Sequence, residues 1–262
     1  MDFEHIKQIG IQAACQGGDI LRRHFGHLFE IRKKGAIDLV TAADVESEHA
    51  IVETIRSAFP AHGILAEETG PKEGLPDTRW VIDPLDGTTN FAHGLGIFAV
   101  SIAFEHQGTP VFGIVSNPIS GETFTAVRGQ GAFLNSQPIS VSTTATVGDS
   151  LLVTGFPYDL AQMPTNILDR FVRCLGSAQG IRRLGSAALD LCYVASGRFD
   201  GFWEENLKPW DTAAGMVIAN EAGARITDFE GQPYNIDQKQ ILATNGNIHA
   251  EMQSLLDIEA TQ

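Results

Sequence analysis

The sequence predicts an α+β protein in which helices and sheets lie in layers. Three observations carry this. Apolar residues recur at helical spacing near the start, the middle holds short apolar runs joined by Gly and Pro, and the last third alternates helical and strand-like segments. No repeat of 20 to 50 residues is visible.

Taken in order, Phe3, Ile6, Ile9, Ala13 and Ile20-Leu21 predict a long amphipathic helix ending near Phe25-Gly26. A second helix is expected from Ala42 to Phe59, stopped by Pro60, followed by a short buried strand at Ile64-Leu65-Ala66. Trp80-Val81-Ile82 is another. Strands at Phe98–Phe104, Val111–Val115 and Thr123–Ala126 then form a meander. Further on come a strand at Ser150–Thr154, helices at Pro164–Leu175 and Ser186–Ser196, a strand at Gly201–Trp203, and a helix at Asp211–Ala222 stopped by Gly223.

The chain has 262 residues, 43% of them hydrophobic, a length at which roughly 70 to 75% of the unfolded surface is buried on folding. It is expected to be one unit over 1–262, with lobes at 1–145 and 146–262. Lys and Arg number 18 against 32 Asp and Glu, giving a formal charge of −14. No basic stripe offers a footprint for nucleic acid, and direct nucleic-acid binding is not expected. Cys15, Cys174 and Cys192 are odd in number and form no Cys-x-x-Cys pair, which argues against a disulfide framework and a zinc ribbon. No basic flank with an apolar run opens the chain, and no apolar stretch reaches the roughly 18 residues of a membrane span. A soluble, cytoplasmic protein is expected.

The chemistry concentrates in Asp83-Pro84-Leu85-Asp86-Gly87-Thr88-Thr89. Two carboxylates three residues apart, leaving an apolar strand, are hard-oxygen ligands suited to magnesium or manganese. Gly87 and Thr88 would open a short helix whose first amides receive a phosphate. The alternative for Asp-Gly alone is an ordinary turn, but the proline, the second acid and the double threonine argue against it. Asp211 in Trp210-Asp211-Thr212, taken alone, reads as a helix N-cap, and a metal-ligand role for it rests on its partners. Glu67-Glu68 at a strand end is either a solvated pair or part of the same site. Thr41-Ala42-Ala43-Asp44 is a variant capping box on its face. Gly129-Gln130-Gly131 fits a hairpin turn better than a phosphate loop, and His93 stands on the surface or behind the site. No His-x-x-x-His, Gly-x-Ser-x-Gly or Gly-Lys-Ser/Thr pattern is present, so zincin, serine-hydrolase and P-loop chemistry lack support.

Trp80 through His93, together with Trp210 through Ala224, resembles the two signatures of the inositol monophosphatase family. Lys33 through Asp44, Glu67-Glu68 and Gly185-Ser186-Ala187-Ala188 also fall in that family's order. The resemblance implies a layered αβαβα sandwich of the sugar-phosphatase type, a homodimer, magnesium dependence with two or three ions, and lithium sensitivity. It implies that Glu67, Asp83 and the main-chain oxygen of Leu85 hold one ion, that Asp83, Asp86 and Asp211 hold a second, and that Glu67 shares a third. Thr88 with Asp44 is similar to the dyad that orients the attacking water. The Gly87 and Thr88 amides are similar to those that receive phosphate. Asp86, Asp211, Glu204 and Gly185, Ser186 and Ala187 match positions that meet the substrate, a small phosphorylated sugar or polyol. Lobe 1–145 would carry the metal and phosphate motifs, and lobe 146–262 the substrate rim and Asp211. Ala66 replaces the family's frequent Gly beside the ligand Glu67. The stretch Glu205-Asn206-Leu207-Lys208-Pro209 differs from the His-Cys of animal members and is closer to bacterial ones, some of which are linked to transcription complexes.

A rival phosphatase class uses an Asp nucleophile in Asp-x-Asp-x-Thr, but the spacing here is Asp-x-x-Asp, so no phosphoaspartate is expected. Myo-inositol monophosphate leads as substrate, ahead of fructose 1,6-bisphosphate, histidinol phosphate and a nucleotide 3′-phosphate.

Overall fold

The computed structural model describes residues 2–26, 32–33, 39–40, 42–157 and 166–258. Their elements run α1 (Phe3–His24), β1 (Arg32–Lys33), β2 (Leu39–Val40), α2 (Ala42–Ala58), β3 (His62–Ala66), β4 (Gly70–Lys72), β5 (Leu75–Asp86) and α3 (Thr88–Ala92). The meander β6 (Ala99–His106), β7 (Thr109–Asn117), β8 (Glu122–Val127), β9 (Ala132–Leu134) and β10 (Gln137–Ile139) follows. The last part holds β11 (Leu151–Thr154), α4 (Asn166–Ser177), β12 (Gly180–Arg182), α5 (Ala187–Ala195), β13 (Gly201–Glu205), α6 (Pro209–Glu221), β14 (Arg225–Thr227), β15 (Gln240–Thr244) and α7 (His249–Leu256).

An eight-stranded sheet has the order β10-β9-β8-β7-β6-β5-β3-β4, and a five-stranded sheet the order β12-β11-β13-β15-β14. Both are mixed: β3 runs parallel to β5, and β11 parallel to β12 and β13, while the other pairs are antiparallel. Helices α1 and α2 cover one face of the larger sheet, α5 and α6 fill the space between the sheets, and α4 and α7 cover the outer face of the smaller one. The layering is therefore αβαβα, as expected. Each layer buries a continuous apolar face; in the first, Trp80 packs against Phe104 with tilted rings, centroids 5.1 Å apart, and edge-to-face against Phe112. Gly113 lets α6 lie directly on β7, since a Cβ there would fall 2.5 Å from the Ala214 carbonyl oxygen.

Two expectations need correction. Trp80-Val81-Ile82 is the middle of a longer strand, and Asp83 through Asp86 continue it through a bulge rather than following it. Pro84 cannot donate to the ladder, and a bulge is where a sheet accepts such a residue. Helix α6 begins at Pro209, two residues before Asp211, because Pro at the first helical turn loses no hydrogen bond. The expected start of α4 at Pro164 and the Thr41 partner of a capping box lie outside the described residues, as does half of Lys33 through Asp44. Gly129-Gln130-Gly131 is the β8–β9 turn, and the Gly129 and Gly131 N–H groups both donate to the Glu221 carboxylate at 2.8 Å. Among the described residues no helix is long and apolar enough to cross a membrane.

Candidate active site

The parallel pairing of β3 with β5 sets the first part of the site. Ala66 stands opposite Ile82, so Glu67 and Asp83 leave neighbouring strands at the same level, and the Glu67 N–H donates to the Ile82 carbonyl at 3.1 Å. The bulge between Asp83 and Asp86 then turns both acids toward one end of the sheet. The Asp83 carboxylate accepts the Leu85 N–H at 2.9 Å, which pins the bulge from within.

Gly87 follows with φ 101°, a left-handed conformation that a side chain would strain. A Cβ there would also crowd the Ile97 and Gly185 carbonyl oxygens at 3.0 and 3.2 Å. Helix α3 therefore opens at Thr88, as expected. The Thr88 hydroxyl lies 3.2 Å from Asp44 Oδ1 and 3.1 Å from the Leu85 carbonyl oxygen. Asp44 is 1% exposed, so its role on α2 is not that of a solvent-facing cap.

The second half of the chain closes the site across the helix layer. Asp86 Oδ2 accepts the Ser186 hydroxyl at 2.6 Å and the Ala188 N–H at 2.8 Å, so this carboxylate sits at the start of α5. Asn90 donates to the Ile97 and Leu184 carbonyls at 2.7 and 2.8 Å, tying α3 to the turn before Gly185. Asp86, Gly185, Ser186, Ala187, Glu204 and Asp211 line one small cleft with Arg183 and Asp190. Asp211 is the third residue of α6, and its carboxylate reaches back to accept the Lys208 N–H at 2.7 Å. This is a capping contact made from inside the helix, which replaces the expectation of an N-cap.

The acids repel one another. Burial raises the Asp83 carboxyl well above its usual range, and the charges of Glu67, Asp86 and Asp211 raise it further. Burial pushes Asp86 up to about 6, against the hydrogen bonds from Ser186 and Ala188 that hold it down. Asp211 is raised by burial and by Asp86, and Glu204 by burial, Asp211 and Asp86. Among the described residues, no group of three or more His, Cys, Asp or Glu side chains is drawn together closely enough to hold a metal ion. The charges of Glu67, Asp86 and Asp211 nonetheless act on Asp83, and those of Asp86 and Glu67 on Asp211.

Three residues escaped the sequence reading. Glu48 is buried behind Glu67-Glu68, Arg183 draws down the pKa of both Asp190 and Glu204, and Asp190 is 1% exposed with no partner for Oδ1 among the described residues. A signal for Glu48 was present: Asp44, Ser47, Glu48, Ile51 and Ile55 share one helical face, so the polar members lie on the apolar side of α2. The other two depend on the chain returning to β11, α5 and β13, which no local pattern announces.

A layered fold that directs acids from both halves into one cleft defines a class, and comparison with known proteins agrees on it: this is a phosphoric monoester hydrolase. The model of the inositol monophosphatase family matches residues 2–259, and the chain belongs to that family. It is 45% identical to an inositol-1-monophosphatase of Synechocystis sp. over 258 residues, covering 97% of this chain and 90% of the relative. It is 43% identical over 244 residues to the Nus factor SuhB of Pseudomonas aeruginosa, covering 90% of each. The crystal structure of the extragenic suppressor protein suhB from Bartonella henselae superposes with a TM-score of 0.92 at 41% identity, over 97% of this chain and 99% of that one.

Proposed function

We propose that the chain hydrolyses myo-inositol monophosphate or a closely similar polyol phosphate by attack of water, with magnesium bound among Glu67, Asp83, Asp86 and Asp211. The observation that carries this reading is the placement of those four acids from three distant segments: the β3–β5 register sets Glu67 beside Asp83, the bulge carries Asp86, and α6 brings Asp211, so that the charges of Glu67, Asp86 and Asp211 all act on Asp83. A buried group of like charges is costly unless a cation offsets it. Oxygen-only donors fit magnesium, with manganese as substitute. Glu67, Asp83 and the Leu85 carbonyl would hold one ion, Asp83, Asp86 and Asp211 a second, and Glu67 would share a third. When bound, the metal lowers the pKa of water and offsets charge on the leaving alkoxide.

The protein's own groups supply orientation. Thr88 gives its single hydroxyl hydrogen to Asp44 or to the Leu85 carbonyl, and its oxygen is left to accept a hydrogen from the attacking water. The opening amides of α3, at Gly87 and Thr88, would receive the phosphate. Glu204 and Asp86, with the Gly185–Ala187 segment, would meet the alcohol portion. Ser186 acts through Asp86, because its hydroxyl is already engaged there. On this reading lobe 1–145 provides metal and phosphate binding, lobe 146–262 provides the rim and Asp211, and the protein works as a cytoplasmic homodimer.

Phosphate release from myo-inositol monophosphate, fructose 1,6-bisphosphate, histidinol phosphate and a nucleotide 3′-phosphate tests the reading, each with magnesium and with excess EDTA. The inositol ester is expected to lead, the chelator to stop turnover, and lithium at tens of millimolar to inhibit. Undiminished turnover in EDTA overturns the metal-assisted route. The Pseudomonas relative named Nus factor SuhB favours a second reading, in which this chain also joins a transcription complex; affinity capture from the source cell tests it, and absence of any transcription component counts against it.

A further inference from the structure

The buried face of α2 carries three polar side chains, Asp44, Ser47 and Glu48, exposed by 1%, 0% and 1%. Each reaches a different piece of backbone or side chain around the site. Asp44 takes the Thr88 hydroxyl, and Ser47 donates to the Pro84 carbonyl at 3.2 Å. Glu48 accepts the Glu68 N–H on Oε2 at 2.8 Å and the Thr69 N–H on Oε1 at 3.0 Å. These are the two amides that follow Glu67, in the turn from β3 to β4.

A carboxylate in such a place is costly unless both oxygens are satisfied, and here each has a backbone donor. Glu67 is thus fixed from two sides: its own N–H is bonded to β5, the strand that carries Asp83, and the next two amides are held by Glu48. We propose that Glu48 is a positioning residue whose grip on this turn aims Glu67 at the cation, so that losing it weakens metal binding and not only the fold. This rests on the magnesium reading above.

Glu48→Gln is the test. It keeps the volume and one acceptor but turns an NH2 group toward the second backbone N–H, so two donors face each other. Magnesium binding is measured by calorimetry on the metal-free protein, beside the melting temperature and the magnesium dependence of turnover. Partners that orient metal ligands are typically worth about 10- to 100-fold in affinity, and about tenfold weaker binding is expected with a matching rise in the magnesium needed for half-maximal rate. A variant that melts lower yet binds and uses magnesium as wild type does overturns the assignment. Should Glu48→Gln fail to fold, Glu48→Asp retains the charge and withdraws the oxygens by one methylene, and unchanged magnesium binding there overturns it as well. Wild type that binds no magnesium fails the metal reading itself. Wild type that binds while Glu48→Gln binds equally fails this assignment alone.

Discussion

Asp86 and Glu204 face the same cleft from different sheets, yet the protein holds them in different ways. Asp86 ends β5 and is tied to Ser186 and Ala188, as its neighbour Asp83 is tied to Leu85 and Asp44 to Thr88. On the other side Glu204 extends from β13, with Gly155 packed so closely that a Cβ would lie 2.2 Å from its carboxylate oxygens. Near it, Asp190 leaves Oδ1 without a partner among the described residues, and the charge of Arg183 acts on both acids. The first side is fixed by short bonds to backbone and neighbouring side chains, which suits a task that is the same in every turnover. The second side keeps polar capacity in hand, which suits recognition of a ligand's hydroxyls.

The largest expected effect falls on the fixed side and on the one acid that reaches it from the other half. Asp83→Asn and Asp211→Asn keep the shape of the side chain but remove a negative charge. At Asp211 the amide oxygen can still accept the Lys208 N–H, so the start of α6 survives. Both variants should therefore fold and melt near wild type or above it, because like-charge repulsion is relieved. Turnover should fall on the order of a hundredfold or more, as when charge stabilisation at a leaving oxygen is lost. Melting curves and rates over a magnesium series decide this. A folded Asp211→Asn with normal rate at low magnesium would return Asp211 to a purely structural role.

A smaller and more selective effect is expected from Glu204→Ala. Loss of a hydrogen-bonding partner for substrate hydroxyls costs roughly 1 to 3 kcal/mol, which should appear in kcat/KM for polyol phosphates. Small aryl phosphates, which have no such hydroxyls, should be hydrolysed nearly as before. Equal loss on both substrate types would break the contrast between the two sides and assign Glu204 to catalysis or stability.

The same contrast explains what the sequence made legible. Asp83, Asp86, Gly87 and Thr88 lie within six residues, and an apolar strand running into two acids, a proline and a glycine already marks the acids and the short helix after them, though not the bulge that carries them. The major strands and helices were readable because their apolar periods are long enough to identify. Strands of three residues such as β4, β9, β12 and β14 were not, since they are defined by pairing across the sheet rather than by local pattern. Asp190 and Arg183 belong to the same problem: their significance arises where α5 and the turn before it meet β13. Asp211 was found but misplaced by a turn, because Pro209 can open a helix as readily as break one.

The least effect on rate, and a clear one on stability, is expected at His249, on the outer side of the smaller sheet. The ring is fully buried, with Nε2 2.9 Å from Thr227 Oγ1 and Nδ1 2.9 Å from Thr244 Oγ1. Thr227 also donates to the Asp228 carbonyl at 2.6 Å, which uses its only hydroxyl hydrogen, so Nε2 carries the proton and Thr227 accepts it. Thr244 then donates to Nδ1 while it accepts the Gly246 N–H at 3.1 Å. A second proton on the ring would oppose that donation. Burial, with Arg225 nearby, accordingly lowers the His249 pKa from 6.5 to about 4. Because the folded value is depressed, the unfolded chain takes up a proton that the folded chain refuses. The contribution is complete above pH 6.5 and is lost as pH falls toward 4, to a limit of about 3 kcal/mol. Urea unfolding of wild type and His249→Gln at pH 8 and pH 5 measures it: the variant should lose part of the acid sensitivity while its turnover at pH 8 stays that of wild type. Parallel losses of stability in the two proteins would show that the acid response comes from other groups.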